Sequence, residues 1–200
     1  MTHTLHRKGT VLDLKKDYVI LAMFAAGIND TYEDSRQKLI RIGEIMNNNN
    51  PVNIMDERGW RVSATITATY DNIESVKRVV SKLKEEDLGI SIIISGLISE
   101  IKEVLLEMGL NIHTVHFSLL PENKPCFGRS ELLPPKEIME ITTMCGHHTV
   151  SPQSIFHYVE LIKKGKTTIE KAAEKLTRPC ICGIVNTSRI IKILDSLINN

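Results

Sequence analysis

Neither sign of charge dominates this 200-residue chain: 25 lysines and arginines stand against 24 aspartates and glutamates, with no long block of either sign. A nucleic-acid partner is therefore not expected, because a protein that binds one presents a basic face or stripe to the phosphates. No uncharged apolar run reaches the roughly eighteen residues that a membrane span needs, so no membrane partner is expected either. The opening segment, Met1 to Gly9, has no apolar stretch of the signal-peptide kind, and a cytoplasmic location is expected. Also missing are the Gly-x-Gly-x-x-Gly and Gly-x4-Gly-Lys-Ser/Thr patterns of nucleotide sites and the Gly-x-Ser-x-Gly of nucleophile-elbow hydrolases. There is no internal repeat, and the longest low-complexity stretch is the four asparagines at 47–50.

Cysteine is scarce as well, at four residues, yet three of the four fall in the last third of the chain. Cys145 and His148 lie in Met144-Cys-Gly-His-His148, and Cys180 and Cys182 in Pro179-Cys-Ile-Cys-Gly183. In a reducing compartment, clustered cysteines serve as metal ligands or redox groups more often than as disulfide partners. Thiolate and imidazole are the side chains that soft and borderline metals select.

With 42% hydrophobic residues the chain can build a substantial core without disulfides. The short run Asp17 to Met23, continuously apolar after its first residue, reads as a strand buried on both faces. Helical spacing of Leu39, Ile40, Ile42 and Ile45 follows, then strict alternation from Val62 to Thr69, a half-buried strand with its Ser and Thr residues facing outward. Asp71 and Glu74 suggest a capping pair for a helix with Val76, Val79, Val80 and Leu83 on its apolar face. A strand at Ile90 to Ile94, a helix from Leu97 to Met108 and a strand at Asn111 to Leu119 complete a β-α-β-α-β succession.

That alternation predicts an α/β fold: a small, mostly parallel β-α-β layer, favoured over a ferredoxin-like split arrangement because the strands at Ile20 and Ile92 look buried on both sides. The proline-rich stretch Pro121 to Pro135 marks a boundary, placing an α/β domain at 1–125 and a helical Cys/His subdomain at 126–200. Four helices are expected there. They open at Pro135, at Ser151-Pro152, at a Thr167–Glu170 capping box, and at Asn186 or Thr187.

If the second and third of these helices form a hairpin, Cys180 and Cys182 return beside Cys145 and His148, and three thiolates meet an imidazole. Backbone N–H groups at the start of the last helix would favour negative sulfur. The ligand set suits an iron–sulfur cluster or tetrahedral zinc. The Cys-x-Cys half departs from the usual two-knuckle zinc spacing, which favours iron–sulfur, and Cys126 is a further candidate thiolate from across the boundary. His147 diverges from its neighbour and reads as an acid–base or supporting group, and His116 is a second such candidate, on the strand opposite His113. The turn Gly27 to Asp30, after the first strand, is where an α/β sheet admits a ligand.

The expected function is thus a cytoplasmic metal-binding protein of the iron–sulfur kind, of a sort used in anaerobic metabolism. It would have a redox or Lewis-acid role and a small-molecule substrate or a redox partner protein. The alternatives are a zinc-stabilised interaction module and a thiol-based redox enzyme. Inert packing of buried cysteines is the competing reading of the same residues.

Overall fold

A computed structural model describes residues 7, 9–112, 130–147 and 149–199. The elements in chain order are α1 (Val11–Leu14), β1 (Tyr18–Met23), α2 (Ser35–Asn47), β2 (Asn53–Ile54), α3 (Glu57–Trp60), β3 (Thr65–Tyr70), α4 (Ile73–Glu86), β4 (Ser91–Ser95) and α5 (Ile98–Glu107). After the undescribed segment come α6 (Lys136–Thr142), α7 (Pro152–Lys163), α8 (Ile169–Thr177) and α9 (Thr187–Asn199). Among the described residues no helix is long and apolar enough to cross a membrane.

The four strands form one sheet in the order β2-β3-β1-β4, and every neighbouring pair is antiparallel. Residue Ile20 of β1 sits opposite Ala68 of β3 on one side and Ile94 of β4 on the other. This is the split β-α-β-β-α-β topology. It overturns the mostly parallel layer expected from the sequence. Burial of β1 on both faces was the ground for that expectation, and β1 is indeed buried throughout, Met23 alone being half-buried. The second face, however, is covered by a different part of the chain rather than by a second layer of crossover helices. The two-residue β2, too short to leave a periodic signal, supplies the hairpin partner that makes β3 run antiparallel to β1.

On the first face, Tyr18, Ile20 and Ala22 of β1 and Ile66, Ala68 and Tyr70 of β3 form the main core with Leu39, Ile42 and Met46 of α2 and Val76, Val79 and Val80 of α4. Side chains alternate along a strand, so these residues share one side. Buried polar tips find partners: the Tyr70 hydroxyl donates to the Met46 carbonyl at 2.8 Å, and the Trp60 indole N–H to Met55 at 2.8 Å. The helix α4 is capped by Asn72, whose side chain accepts from the Ser75 N–H, rather than by the Asp71–Glu74 pair. Thr168 likewise takes the capping place expected of Thr167.

On the second face, Val19 and Leu21 of β1 pack with Ile184, and Met23, Ile93 and Cys182 flank them. Of the alternating threonines of β3, expected to face outward, Thr67 and Thr69 are buried under the 180–185 loop, while Thr65 is half-buried. The Thr69 hydroxyl is shared between the carbonyls of Gly183 and Ile184 at 2.9 and 3.0 Å, and the Thr67 hydroxyl donates to the Cys182 carbonyl. From β2, Asn53 donates its side-chain amide to Val185 at 2.9 Å. A separate apolar cluster joins α6, α7, α8 and α9 through Ile138, Ile141, Ile155, Leu176, Ile190 and Leu194. The 125/126 boundary and most of the strand expected at Asn111 to Leu119 lie outside the described residues.

Gly183 sits where the loop backbone meets β2. Its φ is +67°, and a Cβ placed there would come within 2.1 Å of the Ile54 carbonyl carbon and 2.3 Å of the Met55 nitrogen. Gly165 shares the same φ of +67° but has open space around it. Gly165→Ala therefore isolates the conformational cost, about 1–2 kcal/mol, and Gly183→Ala should cost about 1–3 kcal/mol more, because backbone must move. Urea unfolding of the two variants checks this, and equal losses would show that the close approach carries no energy.

Candidate functional site

Cys145 follows α6 directly, in the turn that precedes α7, while Cys180 and Cys182 lie in the loop between α8 and α9. The α7–α8 pair returns the chain, and α6 and α7 both pack on α9, so the two loops meet at one end of the helical cluster. Cys145 and Cys180 are buried, Cys182 half-buried, and none of the three is in a disulfide. Cys182 packs against all three apolar clusters, which marks the loop as the junction between sheet and helices.

The sulfur atoms are in contact. Cys180 Sγ and Cys182 Sγ are 3.6 Å apart, and the Cys145 thiol interacts with both. Backbone N–H donors nearby favour negative charge on each sulfur: Thr149 for Cys145, Val185 for Cys180 and Ile184 for Cys182. The donors for Cys180 and Cys182 belong to the loop itself and precede α9, where the sequence had suggested the helix start. The Thr149 hydroxyl lies 3.1 Å from Cys145 Sγ.

These contacts divide the three thiols electrically. Hydrogen bonds from Cys180 and Cys182 hold the Cys145 thiol far below its ordinary range, outweighing the opposing effect of burial. The same contact with Cys145 raises Cys180, and contacts with Cys145 and Cys180, reinforced by burial, raise Cys182. One thiolate shared among three sulfurs is favoured, and a second or third negative charge at this spacing requires a cation.

His147 is the imidazole within reach, its Nδ1 lying 4.0 Å from Cys182 Sγ. His148, expected as the ligand, lies outside the described residues, as do Cys126, His113 and His116. Among the described residues no group of three or more His, Cys, Asp or Glu side chains is spaced to hold a metal ion as it stands. The contacts of the triad are thiol to thiol. The Gly27 to Asp30 turn is closed on itself, with Asn29 accepting from the Ala25 N–H and donating to Gly89, and Asp30 accepting from Gly27.

Beside the triad a cleft of about 1060 Å³ opens between β2–α3 and α8, with Cys180 and Ile181 on one wall and Met55 and Trp60 on the other. Charged side chains, including Arg58, Glu174 and Arg178, stand at its edge. No local pattern in the sequence marks this cleft, because its walls are separated by more than a hundred residues.

The groups that fix the two cysteine loops also escaped the sequence reading. Asp17, wholly buried at the start of β1, receives Arg189 Nη1 at 2.7 Å and the Asn186 amide at 3.1 Å, and lies 3.1 Å from Arg7 Nε. Asn186 also accepts from the Arg189 N–H at 3.0 Å, so it caps α9 while holding the chain before β1. A buried ionic group at a strand entry is the one local signal, and Asp17 next to an apolar run carried it.

The chain matches no protein-family model, no curated protein and no solved structure.

After chelation of metals, ultraviolet thiolate absorbance should show one ionisation well below the ordinary thiol value of about 8.5. Loss of this early step in Cys145→Ala, with the later steps moved down toward the ordinary value, is the expected result. A single unresolved rise centred near the ordinary value would contradict the division of charge among the three thiols.

Proposed function

We propose that this protein binds one thiophilic metal ion through Cys145, Cys180 and Cys182, with an imidazole of the His147–His148 pair completing the set. The observation that carries the reading is the convergence of three sulfurs from two loops separated by two helices, with an imidazole beside them. Side-chain rotation on binding completes the coordination, and half-buried Cys182 is the member with most freedom.

Zinc is the ion the spacing supports. Two sulfurs held at about 2.3 Å from one tetrahedral ion stand about 3.8 Å apart, close to the 3.6 Å between Cys180 and Cys182. Thiolates on different irons of a cluster radiate from its corners and stand wider. The sulfur spacing therefore favours the zinc-stabilised alternative over the iron–sulfur reading of the sequence. A set of three thiolates and one imidazole is closed, which is the pattern of a structural site. The ion would lock the 180–185 loop onto the sheet and hold the helical part against it. Three unbridged thiols at contact distance also fit a reducing, cytoplasmic setting.

Purification without chelator, with a parallel anaerobic preparation, should yield one zinc per chain and no acid-labile sulfide. Cys145→Ser, Cys180→Ser and Cys182→Ser should each lose the metal. Zinc at a hundredfold excess over its Kd should stabilise the chelated protein by about 2.7 kcal/mol. Iron with matching sulfide would select the cluster instead, and a folded protein that binds neither would end the proposal.

A further inference from the structure

One guanidinium joins the two cysteine loops. Arg7, with its side chain 2% exposed, donates Nη1 to the Met144 carbonyl at 3.1 Å and Nη2 to the Ile184 carbonyl. Met144 immediately precedes Cys145. Ile184 follows Cys182 by two residues in the same loop. The third arm of the fork, Nε, lies 3.1 Å from Asp17. A guanidinium is planar and its donors are fixed relative to one another, so two carbonyls bound to its two ends are held at a set separation. Here that separation is the distance between the loops that carry the thiols.

We propose that Arg7 is a positioning residue of the thiol site: it sets the spacing of the Cys145 and Cys182 loops for metal binding, and metal binding in turn holds the N-terminal segment in place. The inference rests on the metal-binding reading above. It adds a group some 140 residues away in sequence, and a coupling between the ion and the segment that carries Arg7, which neither cysteine motif contains. Coupling of this kind is reciprocal, so each event strengthens the other by the same factor. The buried cation is costly by itself, since burial and the neighbouring Arg189 lower the Arg7 pKa against the pull of Asp17.

The test uses the full chain. After chelation, Co2+ is titrated while the sulfur-to-cobalt charge-transfer band is followed. Arg7→Gln should weaken Co2+ binding about 10- to 100-fold, as loss of a supporting group around metal ligands does, and Arg7→Lys should recover part of it. Unchanged affinity and spectrum in a folded Arg7→Gln protein would overturn the proposal, leaving Arg7 a purely structural residue. Should the variants not fold, the wild-type protein answers alone: zinc should slow tryptic cleavage after Arg7, and an equal rate with and without zinc would overturn the proposal. Wild-type protein without any cobalt band removes the metal site itself, and the role of Arg7 falls with it, an outcome distinct from an intact site indifferent to Arg7.

Discussion

The hydroxyls of Thr67 and Thr69 hold the 180–185 loop by its carbonyl oxygens, and the position of everything else around the thiols depends on that docking. A loop laid across a sheet face buries polar backbone, and each buried carbonyl left without a donor costs about 1–3 kcal/mol. A strand face of valines could not meet that requirement; a face of threonines does. Asn53 meets it for Val185 from the neighbouring strand. The apolar share of the same contact, Ile184 on Val19 and Leu21, adds hydrophobic stabilisation without specifying register. Hydroxyl-to-carbonyl bonds specify it, and with it the place of Cys180 and Cys182.

The opposite end of the loop is fixed by charge. Asp17, Arg7 and Arg189 are buried together, with Asn186 between them and Glu140 at 3.3 Å from Arg189. Buried ion pairs are weak evidence of stability, because the desolvation of the ions offsets much of their attraction. Their effect is directional: only one relative placement of β1, α9 and the N-terminal segment satisfies all four groups. Hydroxyls on one side of the loop and a buried carboxylate on the other leave the thiols little latitude, which is the condition a metal centre or a tuned thiol needs.

Much of the local structure was legible in the sequence. Periodicity located α4 and α5 to within a residue or two, the α7 and α8 caps were placed at or beside the observed residues, and the Cys145, Cys180 and Cys182 motifs were read as parts of one site. The strand direction was misread for a physical reason. Apolar residues on both faces of β1 report burial, not what does the burying, and a loop from the far end of the chain gives the same signature as a crossover helix. The outward face assigned to the β3 threonines failed in the same way, since a polar residue that donates to a buried carbonyl is indistinguishable in sequence from one facing water.

Sequence by itself located the longer helices and the strands β1, β3 and β4 and grouped the cysteines into two motifs, because those properties follow from spacing and side-chain type over a few turns. Only the tertiary structure decided that the sheet is antiparallel, that its second face is closed by the Cys180–Val185 loop, and that Arg7 and Asp17 stand behind the thiols. The strand pairings join Tyr18 to Tyr70 and Ile20 to Ile94, the loop and arginine contacts join residues more than a hundred positions apart, and no local periodicity records which distant carbonyl a threonine or an arginine will meet.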